Sequence, residues 1–216
     1  MSDSRWERLA PLTGVIFFVL IAVTFALSSD TPDVDSSTSD TVSYWSAHDS
    51  RLIVASVVGT FAALFLIWFG ASLRSALLRA ERGEGRLSTL VFAGFIVIGV
   101  TGAIGSSLQF AVADSAGDVP DQVTQALSVL SSDFFLPFVV GSLLVLFATG
   151  VCILRFGGLP RWLGWAAIGI GIVSLAGPIG FIGFLALMVW ILVVSITLYL
   201  RQDDAAAPAM PTTPTS

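Results

Sequence analysis

Five long apolar segments without an ionisable side chain alternate with short charged segments along this chain. Residues 9–28, 52–73, 87–113, 134–154 and 162–200 contain no Asp, Glu, Lys, Arg or His. A helix needs about 20 apolar residues to cross the hydrocarbon core of a bilayer, and uncharged segments of this length are typical of such helices. The pattern therefore predicts an all-α fold, a polytopic transmembrane helical bundle.

The last apolar segment is too long for one span. Residues 162–200 would form a helix of about 58 Å, roughly twice the thickness of the hydrocarbon core. The sequence from Ala176 to Gly180 interrupts it, because Gly favours the end of one helix and Pro the first turn of the next. We therefore predict six spans, over about 9–28, 52–73, 87–112, 134–154, 161–176 and 179–200. Five spans plus a re-entrant segment, formed by the short fifth one, are the alternative.

Composition leaves no room for a separate soluble domain. The chain has 216 residues, of which 55% are hydrophobic and 12% charged, against about 45–50% and about 25% in soluble domains. We expect one transmembrane domain over residues 1–201. Residues 202–216 have too little apolar surface to bury and are expected to form a disordered tail.

The charges between the spans predict the orientation of the bundle. With six spans, nine of the ten arginines fall on one side, and only Arg51 falls on the other. The positive-inside rule makes the arginine-rich side cytoplasmic, so both termini and the tail are expected in the cytoplasm. All basic residues are arginine, which resembles the codon bias of high-GC bacteria. We therefore expect a multi-pass protein of the bacterial inner (plasma) membrane.

Small residues in the third and fifth predicted spans indicate close helix packing, which holds helices together in lipid. Gly99 and Ala103 are one turn apart, as are Ala167 and Gly171. Gly102 begins a second such pair in the third span. We interpret these residues as packing positions within this chain's own bundle, and a dimer face is the alternative.

The six tryptophans lie near the predicted ends of the spans, where indole rings commonly anchor a protein at the membrane surface. We interpret all of them as such anchors: Trp6, Trp45, Trp68, Trp162, Trp165 and Trp190. A role in ligand binding is the alternative.

The most distinct polar candidate lies in the first outer loop. His48 is the only histidine, and Tyr44, Asp49 and Arg51 are close to it in sequence. Imidazole changes charge near neutral pH, so this outer-face polar site could titrate or bind an anion or a metal. A purely structural role, in which Asp49 or Ser50 caps the second span, is the interpretation that we favour over such a site.

Inside the spans the polar side chains are neutral. Gln109, Ser106 and Ser174 would line a cavity among spans three to six if the break at Gly177 and Pro178 opens one, as interrupted helices do in transporters. Intramembrane ionisable residues mark proton relays and ion pathways, and a typical zinc site draws several spaced ligands. We therefore predict no catalytic residues, no cofactor, no metal and no nucleic-acid partner.

Three short stretches of the sequence are distinctive: Tyr44-Trp45 through His48 to Arg51, Trp68 to Arg74, and Leu159 to Trp165. They resemble a family of uncharacterised multi-pass membrane proteins of actinobacterial type that carry a domain of unknown function. The resemblance covers nearly the whole chain and implies six spans. It implies no activity and no catalytic residues.

These features favour an integral membrane protein that is not an enzyme, namely an accessory, scaffold or envelope-associated subunit acting through helix packing. The alternative is a transporter or binder of a small neutral or lipophilic molecule in the cavity among spans three to six. An enzyme with its site around His48 is a third hypothesis. The expected partners are the lipid bilayer and either another membrane protein or a second copy of this chain.

Overall fold

The computed structural model describes residues 9–29, 31–32, 35–81, 83–175 and 180–206, and these contain helices and no strand. The predicted all-α class is confirmed. A short 3-10 turn at Ala10–Leu12 precedes the first helix. The helices are α1 Thr13–Leu27, α2 Thr38–Ala47, α3 Asp49–Glu81, α4 Arg86–Ser115, α5 Asp121–Asp133, α6 Leu136–Phe156, α7 Arg161–Ser174 and α8 Gly180–Ala206.

The described residues include five helical segments that are long and apolar enough to cross a membrane, and these contain α1, α3, α4, α6 and α8. The chain therefore has the architecture of a multi-pass membrane protein. The predicted fifth span, α7, has only 14 residues, or about 21 Å of helix. The count of six spans is thus approximate, because α7 is shorter than the hydrocarbon core of about 30 Å.

α7 and α8 form an antiparallel pair. Near the start of α7, the carbonyl of Leu163 accepts a hydrogen bond of 3.1 Å from the indole of Trp190 in α8. At its end, Ser174 packs against Gly183, close to the start of α8. The ring of the next residue, Phe184, meets the ring of Phe25 at the end of α1 edge to face. α7 therefore reaches almost the depth at which α1 ends.

The turn before α7 depends on two glycines. Gly157 and Gly158 have φ of 80° and 84°, a backbone conformation that other residues rarely adopt. The carbonyl of Gly158 accepts a hydrogen bond of 2.5 Å from the guanidinium of Arg201. This contact places the end of α8 beside the α6–α7 turn, at the end of the bundle that carries most of the arginines.

The five membrane-length helices and the shorter α7 pack in a closed ring in chain order, α1 with α3, then α4, α6, α7 and α8, and α8 again with α1. α3 also contacts α6 and α8 across the ring. Ser195 of α8 donates a hydrogen bond of 2.5 Å to the carbonyl of Pro11, where the chain enters α1. All six helices contribute to one apolar core, with Phe17, Leu66, Phe95, Leu146, Leu163 and Ile191 among its members.

The helices differ from the predicted segments in three places. The predicted outer loops contain the helices α2 and α5, α3 continues to Glu81, eight residues past its predicted span, and α8 continues to Ala206, past the expected start of the disordered tail. The predicted break at Gly177 and Pro178 and the tail from residue 207 onward lie outside the described residues.

Candidate functional site at the aspartate-rich end

α2 and α5 pack together over the ends of α3 and α4 and form a cap on the bundle. Ser37 begins α2 by accepting a hydrogen bond of 3.1 Å from the N–H of Asp40, and Asp40 accepts one of 2.7 Å from the Ser37 hydroxyl. This reciprocal arrangement resembles a capping box. Thr38 then donates a hydrogen bond of 2.6 Å to Gln125 of α5.

Trp45 lies at the centre of the cap. Its position in the sequence suggested a membrane-surface anchor, and the structure contradicts that interpretation. Its side chain is 2% exposed and packs with Leu52, Val112 and Ala113 in a second apolar cluster. The indole N–H donates a hydrogen bond of 3.1 Å to Ser128 of α5. The Ser128 hydroxyl therefore satisfies the one polar group of this buried indole.

Tyr44 and Arg51 converge on the turn that follows α1. The Tyr44 hydroxyl donates a hydrogen bond of 2.8 Å to the carbonyl of Ser29. The Arg51 guanidinium donates to the same carbonyl at 3.3 Å and to the Tyr44 hydroxyl at 3.3 Å. The guanidinium Nε is buried without a hydrogen-bond partner. These contacts tether α2 and α3 to the end of α1.

His48 joins this group through Tyr44. Its ring lies 4.7 Å from the ring of Tyr44, centroid to centroid, and its Nδ1 lies 2.9 Å from the Tyr44 carbonyl. Because a carbonyl only accepts, Nδ1 is the donor in this contact. His48 is the residue at which α2 ends.

Asp49, the fourth residue of the predicted outer-face site, makes its contacts elsewhere. Its carboxylate accepts hydrogen bonds from the N–H and the hydroxyl of Ser50, at 2.5 Å and 3.1 Å. These bonds lie in the first turn of α3, where a carboxylate stabilises the helix start. No group of three or more His, Cys, Asp or Glu that could hold a metal occurs in the part of the chain that the structure describes.

The three residues predicted to line a cavity do not come together. Gln109 donates a hydrogen bond of 2.9 Å to the hydroxyl of Ser28, so it ties α4 to the end of α1. Ser106 faces Gly59 of α3, at a distance that leaves no room for a Cβ on that glycine. Ser174 bonds the carbonyl of Ile170 in its own helix, at 2.8 Å.

The predicted helix-packing residues divide into two groups. A Cβ at Gly99 would lie 2.5 Å from the side chain of Ile67 in α3, and one at Gly171 would lie 3.1 Å from the ring of Phe147 in α6. Ala167 is fully buried in the core. Gly102 is exposed, with only the methyl of Ala63 near it, and Ala103 is half-buried.

A groove does exist on the surface of the bundle, between the start of α4 and one face of α6. Its volume is about 450 Å³. Every lining residue is apolar: Leu87, Leu90, Val140, Leu143, Leu144, Phe147, Ala148 and Val151. It contains none of the three predicted cavity residues.

Comparison with family models, with curated proteins and with solved structures gives no match. The family resemblance drawn from short motifs therefore stays a prediction, and function has to be argued from the geometry.

Sequence reasoning missed the residues that assemble the cap. Ser28, Ser29 and Ser128 carry no motif, and each is an unremarkable serine beside an apolar segment. The available signal was the pattern of α5, which buries Thr124 and Ser128 while Val123 and Leu130 remain exposed. A helix that buries polar residues needs partners for them, and α2 supplies one.

Proposed function

We propose that this chain is a non-enzymatic integral membrane protein, an accessory, scaffold or envelope-associated subunit that binds another membrane protein. The observation that carries the proposal is the exposed face of α5. Val123 and Leu130 are 43% and 49% exposed, and they lie two helical turns apart on one side. Asp121 and Asp133, at the two ends of α5, are exposed as well.

An apolar strip with a charged rim is typical of a protein interface. The cap holds this strip in a defined place, because Trp45 and Thr38 bond α5 from the other side. The hydroxyls of Ser56, Thr101 and Ser142 in the spans bond carbonyls one turn earlier in their own helices. These three hydroxyls therefore satisfy the backbone of their own helices, which supports a binding role over a catalytic one.

The test is purification of the tagged full chain in mild detergent, with mass spectrometry of the proteins that co-elute. We expect a stoichiometric partner from wild type and its loss from Val123→Ser/Leu130→Ser. The matched control is Gln122→Ala/Ser132→Ala, which changes exposed polar residues of the same helix and should keep the partner. Equal retention by both pairs would contradict a partner site on α5, and a dimer of this chain would identify a second copy as the partner.

We also propose that the protein lies in a bacterial plasma membrane with both termini in the cytoplasm. Support comes from the arginines, which the positive-inside rule assigns to the cytoplasmic side. A green fluorescent protein fused to the C-terminus should fluoresce, and an alkaline phosphatase at the same place should be inactive. The reverse pattern would contradict this orientation.

A second candidate function is binding of a small lipophilic molecule. The groove between α4 and α6 favours it, because its lining is entirely apolar and its volume lies within the range of about 300–1,000 Å³ that is common for ligand sites. A bulky substitution in the groove, Leu144→Trp, should reduce the lipid that co-purifies with the chain.

A further inference from the structure

The groove between α4 and α6 lies beside two arginines. Val140, Leu144, Phe147 and Val151 form one stripe on α6, because residues three and four apart share a helix face. The next residue of that stripe, one turn after Val151, is Arg155. Its side chain is exposed.

On α4, too, an arginine lies at the end of the lining residues. Leu87 and Leu90 line the groove, and Arg86 lies one turn before Leu90. Its side chain is exposed too. Both helices thus end their apolar lining with an arginine at the same end of the bundle, where α4 begins and α6 ends.

The dimensions match one lipid chain. From Val140 to Val151 the groove follows α6 for about 16 Å, and one leaflet contributes about half of a 30 Å hydrocarbon core. An acyl chain in the groove would lie against apolar side chains along its whole length. Its headgroup would then be level with the ends of the two helices.

The hydrogen-bond donors at that level favour an anion. The first N–H groups of α4 are not free to bind a phosphate, because the carboxylate of Glu81 accepts those of Leu87 and Ser88 at 3.0 Å and 3.1 Å. The guanidinium groups of Arg86 and Arg155 are therefore the donors at the ends of the two lining helices, and guanidinium binds phosphate in a bidentate manner. Two carboxylates, Glu81 and the exposed Glu84, lie in the connection before α4. Selection of a phosphate therefore rests on bidentate hydrogen bonds and not on the net charge of these four groups.

We propose that the groove holds one acyl chain of an anionic phospholipid whose phosphate binds Arg86 and Arg155. The inference rests on the second candidate function, binding of a lipophilic molecule, and narrows it to a lipid class. It also assigns a role beyond topology to two of the arginines at this end.

The experiment uses the full chain in an equimolar mixture of phosphatidylglycerol and phosphatidylcholine. Native mass spectrometry after transfer to mild detergent measures which lipid stays bound. We expect wild type to retain phosphatidylglycerol preferentially. In Arg86→Gln/Arg155→Gln, the preference for phosphatidylglycerol over phosphatidylcholine should fall about fivefold for each arginine removed.

The matched control is Arg74→Gln/Arg79→Gln, which removes two charges at the same end from α3, a helix that contributes no residue to the groove lining. It should keep the preference. An equal loss in both pairs would show a diffuse surface-charge effect and overturn the arginine site, as would an unchanged preference in Arg86→Gln/Arg155→Gln.

A third variant separates lipid binding in the groove from selection of the headgroup by the arginines. Leu144→Trp fills the groove and should lower the retention of both lipids. If it does so while the arginine variants have no effect, lipid binds the groove but its headgroup is not selected by these arginines. If Leu144→Trp retains lipid as wild type does, the groove is not a lipid site and the second candidate function fails with it.

Discussion

The indole N–H of Trp45 donates a hydrogen bond of 3.1 Å to the hydroxyl of Ser128, which lies 83 residues later in the chain. This bond joins two helices of the cap inside a region from which water is excluded. Both side chains are buried, and Trp45 is among the largest fully buried side chains of the described residues.

Ser128→Val should destabilise the cap because it leaves a buried indole N–H without an acceptor. The expected loss is about 1–3 kcal/mol, measured as the free energy of unfolding in mixed micelles titrated with sodium dodecyl sulfate. Trp45 fluorescence should change in parallel. Ser132→Ala is the control, because Ser132 is an exposed residue whose hydroxyl bonds a carbonyl of its own helix. A loss no greater than that of the control would contradict a stabilising role of the bond.

Gly94→Ala should push α4 and α6 apart. A Cβ at Gly94 would lie 2.8 Å from the carbonyl oxygen of Gly141, which is backbone and does not move aside as a side chain does. We expect a loss of about 1–3 kcal/mol, detected in the same titration. Gly105→Ala is the matched control on α4, because nothing lies within 4 Å of its Cβ. If both variants unfold alike, the α4–α6 contact is looser than this geometry requires.

Gly99→Ala and Gly102→Ala should differ, although the sequence predicts a packing role for both. The Gly99 position meets Ile67 at 2.5 Å, whereas the Gly102 position meets only the Ala63 methyl at 3.8 Å. Gly99→Ala should lower the melting temperature in detergent. Gly102→Ala should leave it unchanged or raise it, since Ala is the better helix former by about 1 kcal/mol. A decrease of similar size in both would favour a second contact for Gly102, as in the dimer alternative.

Acid should weaken the junction of α3 and α4 through Glu81. This residue lies beyond the uncharged part of α3, in the charged connection between two spans. Its partial burial opposes ionisation, but hydrogen bonds from the backbone of Leu87 and Ser88 outweigh it and hold the pKa of Glu81 below its ordinary value. A lowered pKa means that the folded state favours the carboxylate, so its stabilising effect is present above the unfolded pKa and disappears as the pH falls through the folded value.

Glu81→Gln should therefore reduce the melting temperature at neutral pH and flatten its dependence on pH in the acidic range. Glu84→Gln is the control, because Glu84 is an exposed carboxylate in the same connection between α3 and α4. Parallel pH profiles of wild type and Glu81→Gln would show that the carboxylate does not couple to folding.

Tyr44→Phe should loosen the turn after α1 by about 1 kcal/mol, because the Ser29 carbonyl then keeps only the longer bond from Arg51. Hydrogen exchange of residues 28 and 29 should become faster. His48→Ala is the comparison, because it removes the ring that packs at a tilt against Tyr44 and leaves both hydrogen bonds to the Ser29 carbonyl in place. The same variant tests the hypothesis of an enzyme around His48. That hypothesis requires His48→Ala to lose cellular function while Tyr44→Phe retains it.

The helical class and the approximate positions of the apolar segments were predictable from the sequence alone. The reason is physical: a backbone in lipid has to satisfy its own hydrogen bonds, so a long uncharged segment leaves helix as the choice. The short fifth segment was also recognisable, because its glycines and the neighbouring Gly-Pro limit its length. The helices α2 and α5 were not, because their apolar pattern is short and their burial depends on each other.

Side-chain partnerships were decided by the tertiary structure. Trp45 and Trp190 carry the sequence pattern of membrane-surface anchors, and packing buries both and supplies an acceptor for each N–H. Gln109 and Ser174 are similar neutral polar residues in the sequence, but they lie on α4 and α7, which the order of the helices around the bundle keeps apart. Hydropathy depends on each residue's own transfer free energy, whereas a hydrogen bond depends on where a second, distant residue is placed. The sequence by itself therefore determined which segments are helices suited to lipid, and only the tertiary structure decided which polar groups meet at the cap.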